Sequence, residues 1–190
     1  MTPCKTTFRY LPSTHCGLRP DGVQIDLLVV HAISLPPGEF GGCGVDDLFL
    51  GCLDGDAHPF YREIANLKVS AHFLIKRDGT LTQYVPAAQM AWHAGVSQWQ
   101  GRNKCNDFSI GVELEGDENT AFEIVQYQQL ATLTRTLQGR YPTITDKNIV
   151  GHKDIAPNRK WDPGPGFDWQ HFYKILSTAK ATLEWPIVWD

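Results

Sequence analysis

One mixed β-sheet flanked by α-helices, in a single α/β domain, is the fold that these 190 residues predict. Three observations carry that expectation. Two β-rich segments meet at Asp78-Gly79, short apolar runs at 25–31 and 108–114 have the length of buried strands, and two amphipathic stretches alternate with them. With 17 Gly, 12 Pro, 42% hydrophobic and 11% aromatic residues, the composition suits one ordinary core over residues 1–190. A chain of this length buries roughly 70% of its extended surface without staples.

Taken in order, Ile25-Asp-Leu-Leu-Val-Val-His31 reads as a buried strand ending near His31, because Leu35-Pro36-Pro37-Gly38 cannot continue a ladder. Residues 36–67 are rich in Gly, Pro and Asp and read as a long loop-rich insertion with a helical turn or two. Val69 to Arg77 and Thr80 to Val85 form a β-hairpin closed by the two residues Asp78-Gly79. In the strand from Phe108 to Leu114 a period of two puts Glu113 and Glu115 on one face and Val112 and Leu114 on the other. Thr120-x-x-Glu123 has capping-box spacing, and Tyr127, Leu130, Thr134 and Leu137 follow at helical intervals, predicting a helix over 121–139 that Pro142 ends. Asn148 to His152 reads as a short strand. Asp168 then offers an N-cap to a second amphipathic helix through Trp169, Phe172, Ile175, Leu176 and Ala179.

Charge and apolar patterning exclude several function classes. The net charge is −4 with no basic stretch longer than Lys76-Arg77, which argues against a nucleic-acid partner. Runs such as Leu27 to Val30 fall far short of the ~20 apolar residues of a membrane span, so no membrane partner is expected. The first residues lack the basic start and apolar stretch of a secretory signal, which predicts a cytoplasmic protein. Five cysteines, Cys4, Cys16, Cys43, Cys52 and Cys105, are scattered without a C-x-x-C pair and read as reduced thiols.

Of the seven histidines, His15, His58 and His171 fall where solvated imidazole is the ordinary reading, and His72, inside a hairpin strand, suits a hydrogen bond to backbone. His31 differs, since open α/β sheets place ligands just beyond strand ends. The segment Gly151-His152-Lys153-Asp154-Ile155-Ala156-Pro157-Asn158-Arg159-Lys160-Trp161-Asp162-Pro163-Gly164 concentrates an imidazole, carboxylates and cations beside a strand end.

That segment, with His31 on an early strand, resembles the zinc N-acetylmuramoyl-L-alanine amidases, relatives of phage lysozyme-amidases and peptidoglycan-recognition proteins. The resemblance extends through Val29 to Gly42, Val69 to His72, Gln83 to Pro86, Ala91 to Val96 and Cys105 to Gly116, and is strongest to the cytosolic branch over about residues 25–170. It departs at Ala32, where that branch carries Asn, and at Lys153, where a smaller residue is common. Ala32 bears on a polar contact to substrate and leaves the metal residues intact.

Carried over, the pattern makes His31, His152 and Asp162 the ligands of a zinc ion. Two imidazoles and one carboxylate leave a fourth position open, the donor set of a catalytic site, and all-oxygen cations such as magnesium suit it poorly. By the same resemblance Glu113 is the general base, and a carboxylate on a buried strand has the raised pKa that the role needs. Glu115 is its competitor, nearer the strand end and solvated or salt-bridged. Lys160, two residues before Asp162, is placed to stabilise an oxyanion, against the ordinary reading of a surface lysine. Trp92 and His93 fit either a sugar-binding wall or a core Trp with a satisfied neighbour. Lys68, Lys104 and Ala156 are carried over as substrate contacts, the lysines facing peptide carboxylates.

The resemblance implies a peptidoglycan-recognition-protein-like fold and a monomer that cleaves 1,6-anhydro-muropeptides, small-molecule substrates, in cytosolic peptidoglycan recycling with influence on β-lactamase induction. Two rivals stand beside it: a secreted or phage-type lytic amidase acting on intact peptidoglycan, and a non-catalytic recognition module.

Overall fold

A computed structural model describes residues 7–181 and 185–190 of the chain. Of the cysteines, Cys4 lies outside the described residues, and Cys16, Cys43, Cys52 and Cys105 are free thiols.

The strands are β1 (Phe8–Tyr10), β2 (Cys16–Gly17), β3 (Leu27–Ile33), β4 (Phe73–Ile75), β5 (Leu81–Gln83), β6 (Met90–Ala91), β7 (Gln98–Trp99), β8 (Arg102–Asn103), β9 (Ser109–Glu115) and β10 (Ile149–Gly151). The α-helices are α1 (Gly44–Leu50), α2 (Tyr61–Ile64), α3 (Ile124–Arg140), α4 (His152–Ile155) and α5 (Trp169–Thr178). Six strands form one mixed sheet in the order β1-β5-β4-β9-β3-β10. Only β4 and β5 pair antiparallel within it, so β3, β9 and β10 end at the same edge. Ligands of open α/β sheets collect at that edge.

The alternation expected along the central strands is seen in the two faces of the sheet. Leu28 and Val30 of β3 and Ile110, Val112 and Leu114 of β9 pack with Leu130, Leu133 and Leu137 of α3 and Phe172 and Leu176 of α5. Leu27 and Val29 join a separate cluster on the opposite face with Phe108, Cys105 and Ile155. His31 and Glu113, at the same parity, therefore face away from the two long helices.

Several boundaries differ from expectation for local reasons. The hairpin forms, but its connection is three residues long: Gly79 N–H donates to Lys76 O and Lys76 N–H to Thr80 O, with Gly79 at φ +86°. This is a turn followed by a glycine bulge, and Asp78 Oδ1 secures it by accepting the Thr80 N–H. Helix α3 begins later than the Thr120 box predicted. Thr120 N–H is taken by Asp117 Oδ1, and the cap moves to Glu123, whose N–H bonds Gln126 Oε1. Gln126 Nε2 also donates to Ile75 O and Glu115 O, tying the helix start to two strand ends. Strand β3 runs two residues past His31 because Ile33 still pairs with Glu115.

The 36–67 insertion carries α1 and α2. Buried Asp46 anchors it to the sheet, accepting from Tyr84 Oη, from Lys76 Nζ at 3.1 Å and from Arg9 Nη1 at 3.2 Å. Glu115 differs from the solvated or salt-bridged group expected. It is buried, and its two oxygens accept the N–H groups of Gly41 at 2.6 Å and Arg77 at 3.0 Å. That makes it a strut between insertion and hairpin. Strand β1 and the short ladders β2·β6 and β7·β8 have no sequence counterpart above, since two or three residues carry too little periodicity to read.

Candidate metal centre and active site

His31 sits near the end of β3 in register with Glu113 on β9, while Gly151, the last residue of β10, pairs with Val30. His152 follows as the first residue of α4. The loop after α4 returns Asp162 to the same place, its carbonyl accepting Lys153 N–H at 3.0 Å. Gly151 permits that return, because a Cβ there would lie 2.8 Å from Pro163 Cδ.

Three atoms converge. His31 Nδ1 and His152 Nδ1 are 2.9 Å apart, and each is 3.1 Å from Asp162 Oδ2. Ligand atoms at 2.0–2.1 Å from a tetrahedral zinc stand about 3.3 Å apart, so this triangle closely matches that geometry. All three residues are buried, and among the described residues they are the group of His, Cys, Asp or Glu side chains able to share a metal ion.

The outer ring nitrogens point to the tautomers. His152 Nε2 lies 3.2 Å from Ala94 O, so it donates and leaves Nδ1 with a lone pair. His31 Nε2 lies 2.9 Å from His93 Nδ1. Two lone pairs and a carboxylate oxygen then meet at one point, an arrangement that is repulsive until a cation joins it. The residues present fit a metal.

Electrostatics agree. Burial lowers the His31 ring to about 4, the neighbouring Asp162 carboxylate opposing this and the His152 ring adding to it. Burial works against charge on Asp162, but the His152 and His31 rings beside it outweigh that and hold the carboxyl well below the usual range. Burial, with Asp162 adjacent, pushes Glu113 well above the ordinary carboxylate value despite Lys160. Glu113 Oε1 is 4.0 Å from His31 Nδ1, and Oε2 is buried with no hydrogen-bond partner among the described residues. A buried carboxyl with a free oxygen beside a metal position can take and return a proton.

These groups line a cleft of about 260 Å³ with Lys160, Trp161, Trp92, His93, Leu67 and Phe49. Lys160 is exposed, and its N–H is held by Ala156 O at 3.1 Å. The expected substrate contacts divide. Trp92 is half-buried in the cleft wall with His15 stacked 6.3 Å from it, so His15 is packed rather than simply solvated. His93 touches the cleft, yet both its ring nitrogens are engaged inside the protein, Nε2 lying 3.1 Å from Ser109 Oγ. Lys68, Lys104 and Ala156 are not among the residues lining the cleft. Lys68 and Lys104 are exposed, whereas Ala156 is buried at the end of α4, where its carbonyl holds the loop that carries Lys160. His72 accepts Gly111 N–H at Nδ1 and lies 3.0 Å from Gln89 O at Nε2.

Sequence reasoning missed Trp161 and Leu67 in the wall and Ser109 behind His93. It also missed Arg159, whose Nη2 donates to Ala94 O and Val96 O behind His152. Only Trp161, one residue from Asp162, had a readable signal.

The family profile described as N-acetylmuramoyl-L-alanine amidase matches residues 21–165. The 1,6-anhydro-N-acetylmuramyl-L-alanine amidase AmpD of Escherichia coli (strain K12) is 60% identical over 169 residues, covering 89% of this chain and 92% of the relative. A crystal structure of a Se-Met AmpD derivative superposes with a TM-score of 0.86 at 57% identity, over 88% of this chain and 93% of that one. A complex of the E. coli amidase AmiD with anhydro-N-acetylmuramic acid-L-Ala-D-gamma-Glu-L-Lys superposes with a TM-score of 0.60 at 31% identity, over 86% of this chain and 62% of that one. Profile, sequence identity and fold agree over most of the molecule, and the chain belongs to the N-acetylmuramoyl-L-alanine amidase family.

Proposed function

We propose that this protein hydrolyses the amide between the lactyl group of a 1,6-anhydro-N-acetylmuramic acid and the L-alanine of its stem peptide, using zinc held by His31, His152 and Asp162. The observation that carries the reading is the convergence of those three ligand atoms beside the unpartnered buried oxygen of Glu113. The choice of anhydro-sugar rests on the similarity to AmpD and to AmiD, the latter solved with such a substrate.

When bound, zinc supplies Lewis-acid polarisation of the carbonyl and an acidified water. Glu113 receives the proton of the attacking water at its free oxygen and returns it to the departing alanine nitrogen, for which its raised affinity for a proton is suited. Lys160, on the cleft wall, brings positive charge toward the carbonyl oxygen as negative charge develops there. Trp161 and Trp92 offer flat apolar surface to the sugar ring, and buried walls around His31 exclude bulk water. At position 32 the cleft has only the methyl of alanine.

All five proposed metal and catalytic residues come from one chain and one sheet edge, which supports a single-domain enzyme acting as a monomer. Among the described residues no helix is long and apolar enough to cross a membrane. A cytoplasmic recycling role, with its influence on β-lactamase induction, rests on the similarity to AmpD. The test is mass spectrometry of products from an anhydro-muramoyl tripeptide beside an intact-sacculus digest, each with chelator and with zinc restored. Chelator-sensitive release of free tripeptide and anhydro-sugar, with sacculi left intact, is expected. Solubilised sacculi would make it a lytic amidase, and cleavage of neither a recognition module.

A further inference from the structure

Behind the metal-binding edge a chain of hydrogen bonds runs from His31 into the core. Ser109 Oγ lies 2.6 Å from Cys105 O and 3.1 Å from His93 Nε2, and His93 Nδ1 lies 2.9 Å from His31 Nε2. Every proton in this chain has one consistent place. A carbonyl only accepts, so the single hydroxyl proton of Ser109 points to Cys105 O. Ser109 Oγ must then accept, which puts a proton on His93 Nε2 and leaves a lone pair on His93 Nδ1. That lone pair in turn requires a proton on His31 Nε2, so His31 Nδ1 is left bare toward Asp162 and His152.

The packing around His93 has the same purpose. A Cβ on Gly111 would sit 2.4 Å from His93 Cγ, so glycine in the middle of β9 is what lets the ring lie against the strand. Asn106 Oδ1 accepts the N–H groups of His93 at 3.1 Å and Ala94 at 2.8 Å, fixing the backbone from which the ring projects. No carboxylate contacts the His93 ring among the described residues, and the rings of His31 and His72 stand edge-on to it at 5.0 and 5.8 Å. Nothing here favours a second proton.

We infer that Ser109 and His93 are positioning residues that lock His31 in the Nε2–H tautomer and so aim its Nδ1 lone pair at the metal. This rests on the zinc reading of His31, His152 and Asp162. It assigns His93 to the support of a ligand, in place of the sugar wall considered from sequence. Metal-binding histidines generally donate their second N–H to an outer partner, and loss of that partner weakens binding about 10- to 100-fold. An imidazole as that partner is unusual because it accepts only in one of its two tautomers, and Ser109 selects it.

Two readouts test the inference: zinc affinity by competition with a chromogenic chelator, and ring nitrogen NMR of the metal-free protein. His93→Phe keeps the ring volume and removes the acceptor; His93→Asn places a carbonyl oxygen near the position of Nδ1. Wild type is expected to show His31 protonated at Nε2, His93→Phe to bind zinc about 10- to 100-fold more weakly with mixed His31 tautomers, and His93→Asn to recover most of the affinity. Zinc binding by His93→Phe equal to wild type, with the His31 tautomer unchanged, would overturn the inference. Equal loss in both variants with His31 still protonated at Nε2 would also overturn it, leaving His93 a packing residue. A wild type that binds no zinc, yet shows the expected tautomer, would locate the failure in the metal reading and remove the purpose assigned to the relay.

Discussion

Glu113 stands opposite His31 on adjacent parallel strands, register partners with Glu113 Oε1 4.0 Å from His31 Nδ1. The carboxyl is close enough to act on whatever the metal position holds, yet lies outside the tighter triangle of ligand atoms. Glu113→Ala should therefore retain zinc and substrate binding while kcat falls about 100- to 10,000-fold. Loss of metal from that variant, read by atomic absorption after dialysis, would make Glu113 a ligand instead.

Asp162 contributes the one negative charge of the triangle. Asp162→Ala should lower zinc affinity by more than about 100-fold, beyond the usual cost of losing an outer partner, with activity recovered only in excess metal. Full occupancy and normal turnover would sink the ligand assignment.

Lys160 is exposed and touches none of the three proposed ligands by hydrogen bond. Lys160→Ala should leave zinc affinity and thermal stability unchanged while kcat drops about 100- to 1,000-fold. A change confined to KM would place this lysine in ground-state binding rather than on the developing oxyanion.

Buried neutral histidines couple stability to pH. Burial lowers His31 to about 4 and His72 to about 3, and holds His93 well below its ordinary value. In the unfolded chain these rings titrate near 6.5. Between that value and their folded values the unfolded state binds more protons, so stability falls as pH falls. Chelator-treated protein should lose about 1 kcal/mol for each such ring between pH 6.5 and 5.5, read as a falling urea midpoint. A flat midpoint across that range would show that the rings take up protons in the fold just as they do in the unfolded chain.

Gly111→Ala tests the close approach of β9 to His93. With the added methyl 2.4 Å from the ring, the variant should be destabilised by about 1–3 kcal/mol, and zinc should bind more weakly as His93 is displaced. An unchanged melting temperature would mean that the strand has room to yield.

Where periodicity was long, the sequence was a sufficient guide. The strand read over 108–114 forms one residue later as β9, and the face of α3 bearing Tyr127, Leu130, Thr134 and Leu137 could be read directly, as could the N-cap at Asp168, which accepts His171 N–H. Boundaries moved where a side chain preferred another partner, as Asp117 did in taking Thr120 N–H and leaving Glu123 to cap α3. The edge strand β1 was invisible because three residues hold no pattern. So was the tail, where Ala87 N–H bonds Val188 O and Val188 N–H bonds Gln83 Oε1 across more than a hundred positions.

The sequence alone determined the chemistry in outline: an imidazole at a strand end, the loop bearing His152, Lys160 and Asp162, and Glu113 on the inward parity of a strand. Residue type and a period of two supplied the positions, and the resemblance to a known family supplied the roles. Only the tertiary structure decided that the His93 ring lies against His31, that Glu115 binds backbone amides, and that Lys68, Lys104 and Ala156 stand off the cleft. Each of those depends on contacts between segments distant in sequence, and hydrogen bonds across such distances are chosen by packing geometry, which no local pattern encodes.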